Sequence, residues 1–179
     1  MLLFWQQGYS ATSLSQLLQA MAIGRSSFYA AFSDKRSLYI EALSLFAERT
    51  NAVLSDVRDQ QNPANAIKLF FEHTLFQVPE RRMRRGCMLV NTVLELAQTD
   101  QGLSDLASQK LAKIEAAFAD CFRAAAVAQR MTGDQDPEHL AQFVMTVNLG
   151  LRVASRKNTS KKQLNTILDT TLSLLGMAA

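Results

Sequence analysis

Residues 12–38 have the sequence TSLSQLLQAMAIGRSSFYAAFSDKRSL, and this stretch decides the fold of the chain. Ser13 and Gln16 have the spacing of a capping box, in which each side chain bonds the backbone N–H of the other residue and starts a helix. An apolar stripe at helical spacing follows: Leu14, Leu17, Leu18 and Met21. Ala22-Ile23-Gly24 then breaks the helix. The stretch therefore predicts a short amphipathic helix that ends in a tight turn.

A second short helix, predicted over 25–31, follows the turn and carries small polar residues on its outer face. The residues expected to point outward are Arg25, Ser26, Ser27 and Tyr29, and those expected to point inward are Phe28 and Phe32. Such a helix suits a DNA major groove, because small side chains allow close approach and one Arg can reach a guanine edge. The alternative interpretation is an ordinary three-helix corner with solvated serines and arginine.

A wider set of residues holds a recognisable spacing through this region: Gly8-Tyr9, Thr12-Ser13, Ala22-Ile23, Phe28-Tyr29-Ala30-Ala31-Phe32, Lys35 and Leu38. With this pattern the chain resembles the TetR family of transcription regulators. It departs from the family in having Ala22-Ile23 where a Gly-Val turn is usual. Met1 also falls inside the family's first helix, so we expect the N-terminal half of that helix to be missing.

The resemblance implies a DNA-binding domain over 1–45 and an effector-binding and dimerisation domain over 46–179. The residues expected to contact DNA are Thr12, Ser13, Arg25, Ser26, Ser27, Tyr29 and Lys35. Thr12 and Ser13 open a helix whose N–H groups suit a phosphate. Tyr29 is placed for a phosphate oxygen, and Lys35 is expected to contact the DNA backbone as a mobile charge.

The composition favours one helical, globular protein. Of the 179 residues, 48% are hydrophobic, and glycine (7) and proline (3) are scarce. The formal net charge of +3 permits nucleic-acid binding but does not demonstrate it. The two cysteines are too few for a disulfide framework and lack the spacing of metal ligands. Since neither a signal peptide nor a membrane-spanning apolar stretch is visible, we expect a cytoplasmic protein without membrane contact.

The helical pattern predicts an all-α fold of about nine helices: a three-helix helix-turn-helix head with a truncated first helix, followed by a helical-bundle body. The predicted segments are 2–7, 13–21, 25–31, 35–58, 63–77, 86–98, 103–131, 137–157 and 161–176. Besides Ser13 with Gln16, three starts carry a capping signal: Asn62-Pro63, Asp136-Pro137, and Ser160 with Gln163. The helix over 35–58 is expected to connect head and body.

The body contains apolar residues interspersed with polar ones that could line an effector pocket. We expect the effector to contact Phe70, His73, Met83, Cys87, Asn91, Glu95, Phe118 and Phe122. A plain core explains the Phe and Met residues equally well. Asn91 and Glu95 lie on a mainly apolar helix, and buried polar groups need partners. The partner of each is either a ligand or a neighbouring helix.

Four arginines lie in the stretch 81–85, directly before Gly86 and Cys87. This stretch is compatible with a solvated basic loop or with an anion site at a helix start. A thiol at a helix start beside arginines can also have a lowered pKa and react readily. Cys87 is therefore a candidate sensor of oxidants or electrophiles, although a cysteine is commonly a small buried hydrophobe.

The last two helices carry the pattern of a dimer interface. The residues expected there are Gly150, Ala154, Leu164, Ile167, Leu168, Thr171, Leu172 and Leu175. Together with the resemblance, this predicts a homodimeric repressor that binds palindromic operator DNA and is released by a small-molecule effector. The alternative is a dimeric small-molecule or redox sensor whose DNA binding is impaired by the truncated first helix. The sequence shows no cofactor fingerprint, metal cluster or convincing catalytic set, so we do not expect an enzyme.

Overall fold

The computed structural model describes residues 1–58, 63–127, 135–157 and 159–175. These residues contain ten α-helices and no strand, which confirms the all-α class. The helices are α1 (Leu2–Gln7), α2 (Leu14–Met21), α3 (Arg25–Ala31), α4 (Lys35–Arg58), α5 (Pro63–Phe71), α6 (Glu80–Met83), α7 (Met88–Leu96), α8 (Gln101–Val127), α9 (Pro137–Ala154) and α10 (Lys161–Leu174). The expected helix ends over 128–131 and at 176, and the expected cap at Asn62, lie outside the described residues.

The capping signals at Ser13, Asp136 and Ser160 form as predicted. The Ser13 hydroxyl accepts a hydrogen bond from the Gln16 N–H, and the Gln16 side chain accepts one from the Ser13 N–H. Ser160 and Gln163 repeat this reciprocal arrangement at the start of α10. At α9 the Asp136 carboxylate accepts from two backbone N–H groups of the first turn. These caps satisfy donors that a helix start otherwise leaves unpaired.

Several predicted boundaries differ from the structure; for example, α9 ends at Ala154 rather than at 157. The segment 63–77 is α5 followed by a π-helical turn over Glu72–Phe76, and the one-turn helix α6 comes next after Pro79. Within the predicted segment 86–98, the helix runs from Met88 to Leu96. Helix α8 begins at Gln101 rather than 103, because the Asp100 carboxylate accepts from the Leu103 N–H and caps the first turn.

The described residues form two compact units. The first combines Met1–Glu48 with Cys87–Lys110, so it contains α1 to α3, much of α4, α7 and the start of α8. Its core includes Phe4, Phe28 and Tyr39, each at most 1% exposed. The Phe4 and Tyr39 rings meet edge to face with centroids 4.8 Å apart. Burying such a side chain contributes about 1.5–3 kcal/mol, and these aromatics therefore hold the short helices together.

The second unit combines Arg49–Gly86 with Leu111–Ala179, as far as these residues are described. Its core contains Phe70 and Phe118, whose rings pack edge to face with centroids 5.2 Å apart, and the buried leucines of α10. Within the described ranges, none of the helices combines the length and the apolar character that a membrane span requires.

Candidate nucleic-acid interface

Helix α3 exposes nearly all of its length. Of its seven residues only Phe28 is buried, and the four residues of this helix that are predicted to contact DNA are all exposed: Arg25, Ser26, Ser27 and Tyr29. Tyr29 is 53% exposed, and its ring rests edge to face on the ring of Phe28. A helix that offers one Arg, two small hydroxyls and a Tyr to solvent has the surface that a major groove can admit.

Two local features fix how α3 is presented. Phe28 is fully buried and also contacts the ring of Phe32, which anchors the helix to the first unit. Before α3, Ala22 adopts the left-handed conformation (φ 54°, ψ 40°), and the Ile23 N–H donates to the Leu18 carbonyl at 3.1 Å. This geometry ends α2 and turns the chain sharply, although a left-handed conformation is uncommon for a residue with a Cβ.

Ser13 and Thr12, at the start of α2, differ in exposure. Ser13 is exposed and caps the helix. Thr12 is fully buried, and its hydroxyl donates to the Gly8 carbonyl at 2.6 Å. The Thr12 side chain therefore supports the helix start from inside the unit. Any phosphate contact here involves Ser13 and the backbone N–H groups of the first turn.

Lys35 is fixed rather than mobile, which corrects the prediction of a mobile charge. Its ammonium donates to the carbonyls of Tyr9 and Thr12, both at 3.0 Å, and lies 4.2 Å from the centroid of the Tyr9 ring. An ammonium has three donors, and two are therefore engaged with the segment that precedes α2. The positive charge stays beside the start of that helix.

The residues predicted for an effector pocket divide between the two units. Phe70, His73, Met83, Phe118 and Phe122 belong to the second unit, whereas Cys87, Asn91 and Glu95 belong to the first. In the second unit His73 is exposed, while the three Phe side chains and Met83 are at most 2% exposed. The buried members pack as a hydrophobic core does. The eight residues belong to two compact units, and their binding of an effector stays a prediction.

Glu95 has a protein partner that sequence reasoning missed. Its Oε1 accepts from the Ser10 N–H at 2.7 Å and its Oε2 accepts from the Tyr9 N–H at 3.1 Å. The sequence allows a ligand or a neighbouring helix as the partner, whereas the structure gives the backbone between α1 and α2. The polar residue on an apolar helix was the available signal, but backbone donors carry no side-chain signature.

One arginine of the stretch 81–85, Arg84, stabilises the fold through contacts within the second unit. The Arg84 guanidinium donates to the carbonyls of Ser155, Lys157 and Thr159 and pairs with the Glu80 carboxylate at 2.9 Å. It therefore satisfies carbonyls at and beyond the end of α9, which a helix C-terminus leaves unpaired. Cys87, the cap residue of α7, is 6% exposed.

The residues predicted for the dimer interface differ in exposure. Leu164, Leu168, Thr171 and Leu172 are buried within the second unit, Ala154 and Leu175 are half-buried, and Gly150 and Ile167 are exposed. Four large apolar side chains of α9 and α10 are also exposed: Phe143, Val153, Ile167 and Leu174. The stripe on α10 thus packs largely inward, and a second, outward apolar surface remains.

Comparison with known proteins identifies both parts of the chain. Residues 1–42 match the family described as bacterial regulatory proteins, tetR family, and residues 63–171 match the family described as tetracyclin repressor-like, C-terminal domain. The second match alone covers more than half of the 179 residues.

Individual relatives agree with these matches. The uncharacterized HTH-type transcriptional regulator YezE of Bacillus subtilis is 25% identical over 96% of this chain and 90% of its own length. The HTH-type transcriptional repressor ComR of Escherichia coli is 24% identical over 97% and 84%. A solved structure of a cysteine mutant of the TetR family regulator CifR, complexed with 26-base-pair operator DNA, has a TM-score of 0.86 and 27% identity, and the match covers 95% of this chain and 90% of that one. These relatives are named as regulators, in agreement with the expectation that the chain is not an enzyme. The chain belongs to the TetR family of transcription regulators.

Proposed function

We propose that this chain is a ligand-responsive transcription repressor that binds palindromic operator DNA as a homodimer in the cytoplasm. Residues 1–45 would form the DNA-binding domain, and 46–179 would bind the effector and the second copy. The observation that carries the proposal is the exposure of α3, because only Phe28 of its seven residues is buried. The operator complex of CifR and the repressor name of ComR support the assignment for this related chain.

The exposed residues divide into base and phosphate contacts by their chemistry. Arg25 lies at the N-terminal end of α3, the end that meets base edges in helix-turn-helix proteins, and a guanidinium can bond the O6 and N7 of a guanine. Ser26 and Ser27 bond to base edges or phosphate. Tyr29 and Ser13 are exposed donors suited to phosphate oxygens.

The homodimer is supported by the outward apolar surface of α9 and α10. Ile167 and Leu174, seven positions apart on α10, are 45% and 74% exposed, and Phe143 on α9 is 44% exposed. Beyond its chain neighbours and the nearby backbone of α9, Gly150 has no atom within 4 Å of where a Cβ would lie, which leaves room for another helix. Exposed apolar side chains favour association, and a two-fold axis pairs the same surface on both copies.

Release by an effector requires two states of the dimer. In the unliganded state the two copies of α3 have the separation that fits the operator half-sites. A small molecule that binds the body shifts α4 and changes this separation. The effector acts only by its differential affinity, because a ligand that binds both states equally shifts nothing.

The proposal is tested by selecting duplexes from fragmented genomic DNA at moderate salt and measuring their affinity by fluorescence anisotropy. Arg25→Ala should weaken binding to the selected duplex by about 1–3 kcal/mol and weaken binding to random DNA far less. Lys113→Ala, which removes an exposed cation of α8, is the matched control and should leave the specific affinity unchanged. Equal losses on both DNAs would reassign Arg25 to a phosphate. Failure to select any duplex would reject the repressor and favour the alternative of a sensor without DNA binding.

A further inference from the structure

The carboxylate of Glu95 on α7 binds the turn that precedes α2. Both of its oxygens are used, one by the Ser10 N–H at 2.7 Å and one by the Tyr9 N–H at 3.1 Å. Hydrogen bonds to an ionised acceptor are about twice as strong as neutral ones. A two-point contact to adjacent peptide groups also fixes the orientation of that backbone, which a single bond would not.

The turn is shaped for this contact. Gly8 has φ +87°, a conformation that favours glycine, and a Cβ at Gly8 would overlap Glu95 Oε2. The carboxylate thus approaches the backbone as closely as it does because Gly8 has no side chain. The Gly8 carbonyl accepts in turn from the buried hydroxyl of Thr12, the residue before the cap of α2.

The same segment is held by a cation. The Lys35 ammonium takes the carbonyls of Tyr9 and Thr12, both at 3.0 Å. Glu95 therefore binds the N–H groups of the segment and Lys35 binds its carbonyls, so the peptides around Tyr9 are fixed by two opposite charges. The segment leads directly to Ser13, the cap residue whose helix start faces solvent.

We propose that Glu95 is a positioning residue for operator binding, which acts by fixing the segment Gly8–Ser13 and hence the first turn of α2. This inference rests on the proposed function. Glu95 does not contact DNA; it sets the position of the Ser13 hydroxyl and of the N–H groups that would meet a phosphate. Helix α7 is thereby part of the DNA-binding machinery, although it lies more than 50 positions after the helix-turn-helix.

Net charge alone and the positioning role predict opposite effects of removing Glu95 on DNA affinity, so measuring the affinity distinguishes them. Deleting a carboxylate makes the protein more positive, which should strengthen binding to a polyanion. Positioning predicts weaker binding despite the gain in charge. The matched control is Glu41→Ala, which deletes an exposed carboxylate of α4 in the same unit and makes the same change in charge.

The first experiment measures affinity for the selected duplex at several salt concentrations. Glu95→Ala should bind at least about tenfold more weakly than Glu41→Ala. The loss should be similar at each salt concentration, because the hydroxyl and N–H groups that Glu95 positions are neutral and release no counterion. Titration at a duplex concentration far above the Kd gives the active fraction of each variant and separates a loss of affinity from partial unfolding. Equal affinities of Glu95→Ala and Glu41→Ala would overturn the proposal.

The second experiment is made on the free protein, with ¹⁵N-labelled samples. The amide resonances of Tyr9 and Ser10 should shift and exchange faster in Glu95→Ala, and Glu95→Gln, which retains one acceptor oxygen, should restore part of the protection and of the affinity. Unchanged Tyr9 and Ser10 amides would overturn the positioning role even if affinity fell. If the unmodified protein selects no duplex, the proposed function fails, while these amides still decide whether Glu95 holds the turn.

Discussion

The Arg36 guanidinium binds the Asp100 carboxylate with two hydrogen bonds, from Nη2 to Oδ1 at 3.2 Å and from Nε to Oδ2 at 3.3 Å. Arg36 lies in the first turn of α4, and Asp100 caps the first turn of α8 by accepting from the Leu103 N–H. The pair therefore joins the starts of two helices within the first unit. A planar guanidinium matches a carboxylate in this way, which an ammonium would not.

Asp100 should give the folded state an acid-sensitive contribution. Hydrogen bonds from Arg36 and then from the Leu103 N–H lower its pKa below the ordinary value of 3.8. Because folding lowers this pKa, the stabilisation is present above about pH 4 and is lost as the pH falls through the folded-state pKa. Urea unfolding should show Asp100→Asn less stable than the unmodified chain at pH 7, with a smaller difference at pH 3. A difference that is the same at both pH values, or the same change for the exposed Asp56→Asn control, would contradict this assignment.

Tyr39 and Tyr29 allow stability and DNA binding to be separated. Tyr39 is buried, and its hydroxyl lies 2.7 Å from Thr92 Oγ1, whereas Tyr29 is exposed. Tyr39→Phe should lower the free energy of unfolding by about 1 kcal/mol and leave DNA affinity unchanged. Tyr29→Phe should lower the DNA affinity and leave the free energy of unfolding unchanged, since it removes only a donor proposed for phosphate. Equal stabilities of the two variants in urea would refute the buried hydrogen bond.

Burial also raises the pKa of Tyr39 to about 12, above its ordinary value of 10.0. A group whose pKa rises on folding stabilises the folded state below the unfolded pKa, and this contribution is lost as pH increases through the folded value. The stability of the unmodified chain should therefore fall between pH 10 and 12 more than that of Tyr39→Phe. Parallel curves in alkaline urea unfolding would show that Tyr39 is not the group responsible.

Much of the head follows from short-range sequence signals. Ser13 and Gln16 predict the start of α2 because a capping box is local chemistry, and Phe28 is the inward residue that its helical position requires. The π-helical turn Glu72–Phe76 could not be predicted in this way. Its residues contain neither Gly nor Pro, so helical periodicity predicts a plain continuation of α5.

The partner of Glu95 and the residues that cover the buried face of α10 could not be predicted, because they are far away in the sequence. Glu95 is 85 and 86 positions away from its two donors, which are backbone groups that every residue other than proline possesses. On α10 the periodicity shows that one face is buried but not by what. Leu164 and Leu168 are covered within their own unit, while Ile167 is exposed between them. Helical spacing by itself does not separate a core face from an interface.

The left-handed Ala22 predicts a stabilising substitution in the turn between α2 and α3. A left-handed conformation costs a residue with a Cβ about 1–2 kcal/mol, and glycine avoids this cost. Part of the gain is lost because glycine has a larger conformational entropy in the unfolded chain. Ala22→Gly should therefore raise the free energy of unfolding by about 0.5–1 kcal/mol. Ala116→Gly, at an exposed site within α8, should lower it by about 1 kcal/mol. Urea unfolding of both variants measures the signs, and two losses would show that Ala22 is not strained.

The outward apolar surface of α9 and α10 predicts the effect of a charge on assembly. Ile167 is 45% exposed, so Ile167→Glu costs the isolated chain little, but a dimer built on this surface would bury the carboxylate without a partner. Sedimentation velocity should show the unmodified chain as a dimer and Ile167→Glu as a monomer at micromolar concentration. Thr166→Glu, on the adjacent exposed position of the same helix, is the matched control and should remain dimeric.

Because a palindrome requires two linked copies of α3, the monomeric variant should also lose affinity for a full operator far more than for a half-site. A dimeric Ile167→Glu with unchanged operator affinity would place the two-fold interface elsewhere on the chain.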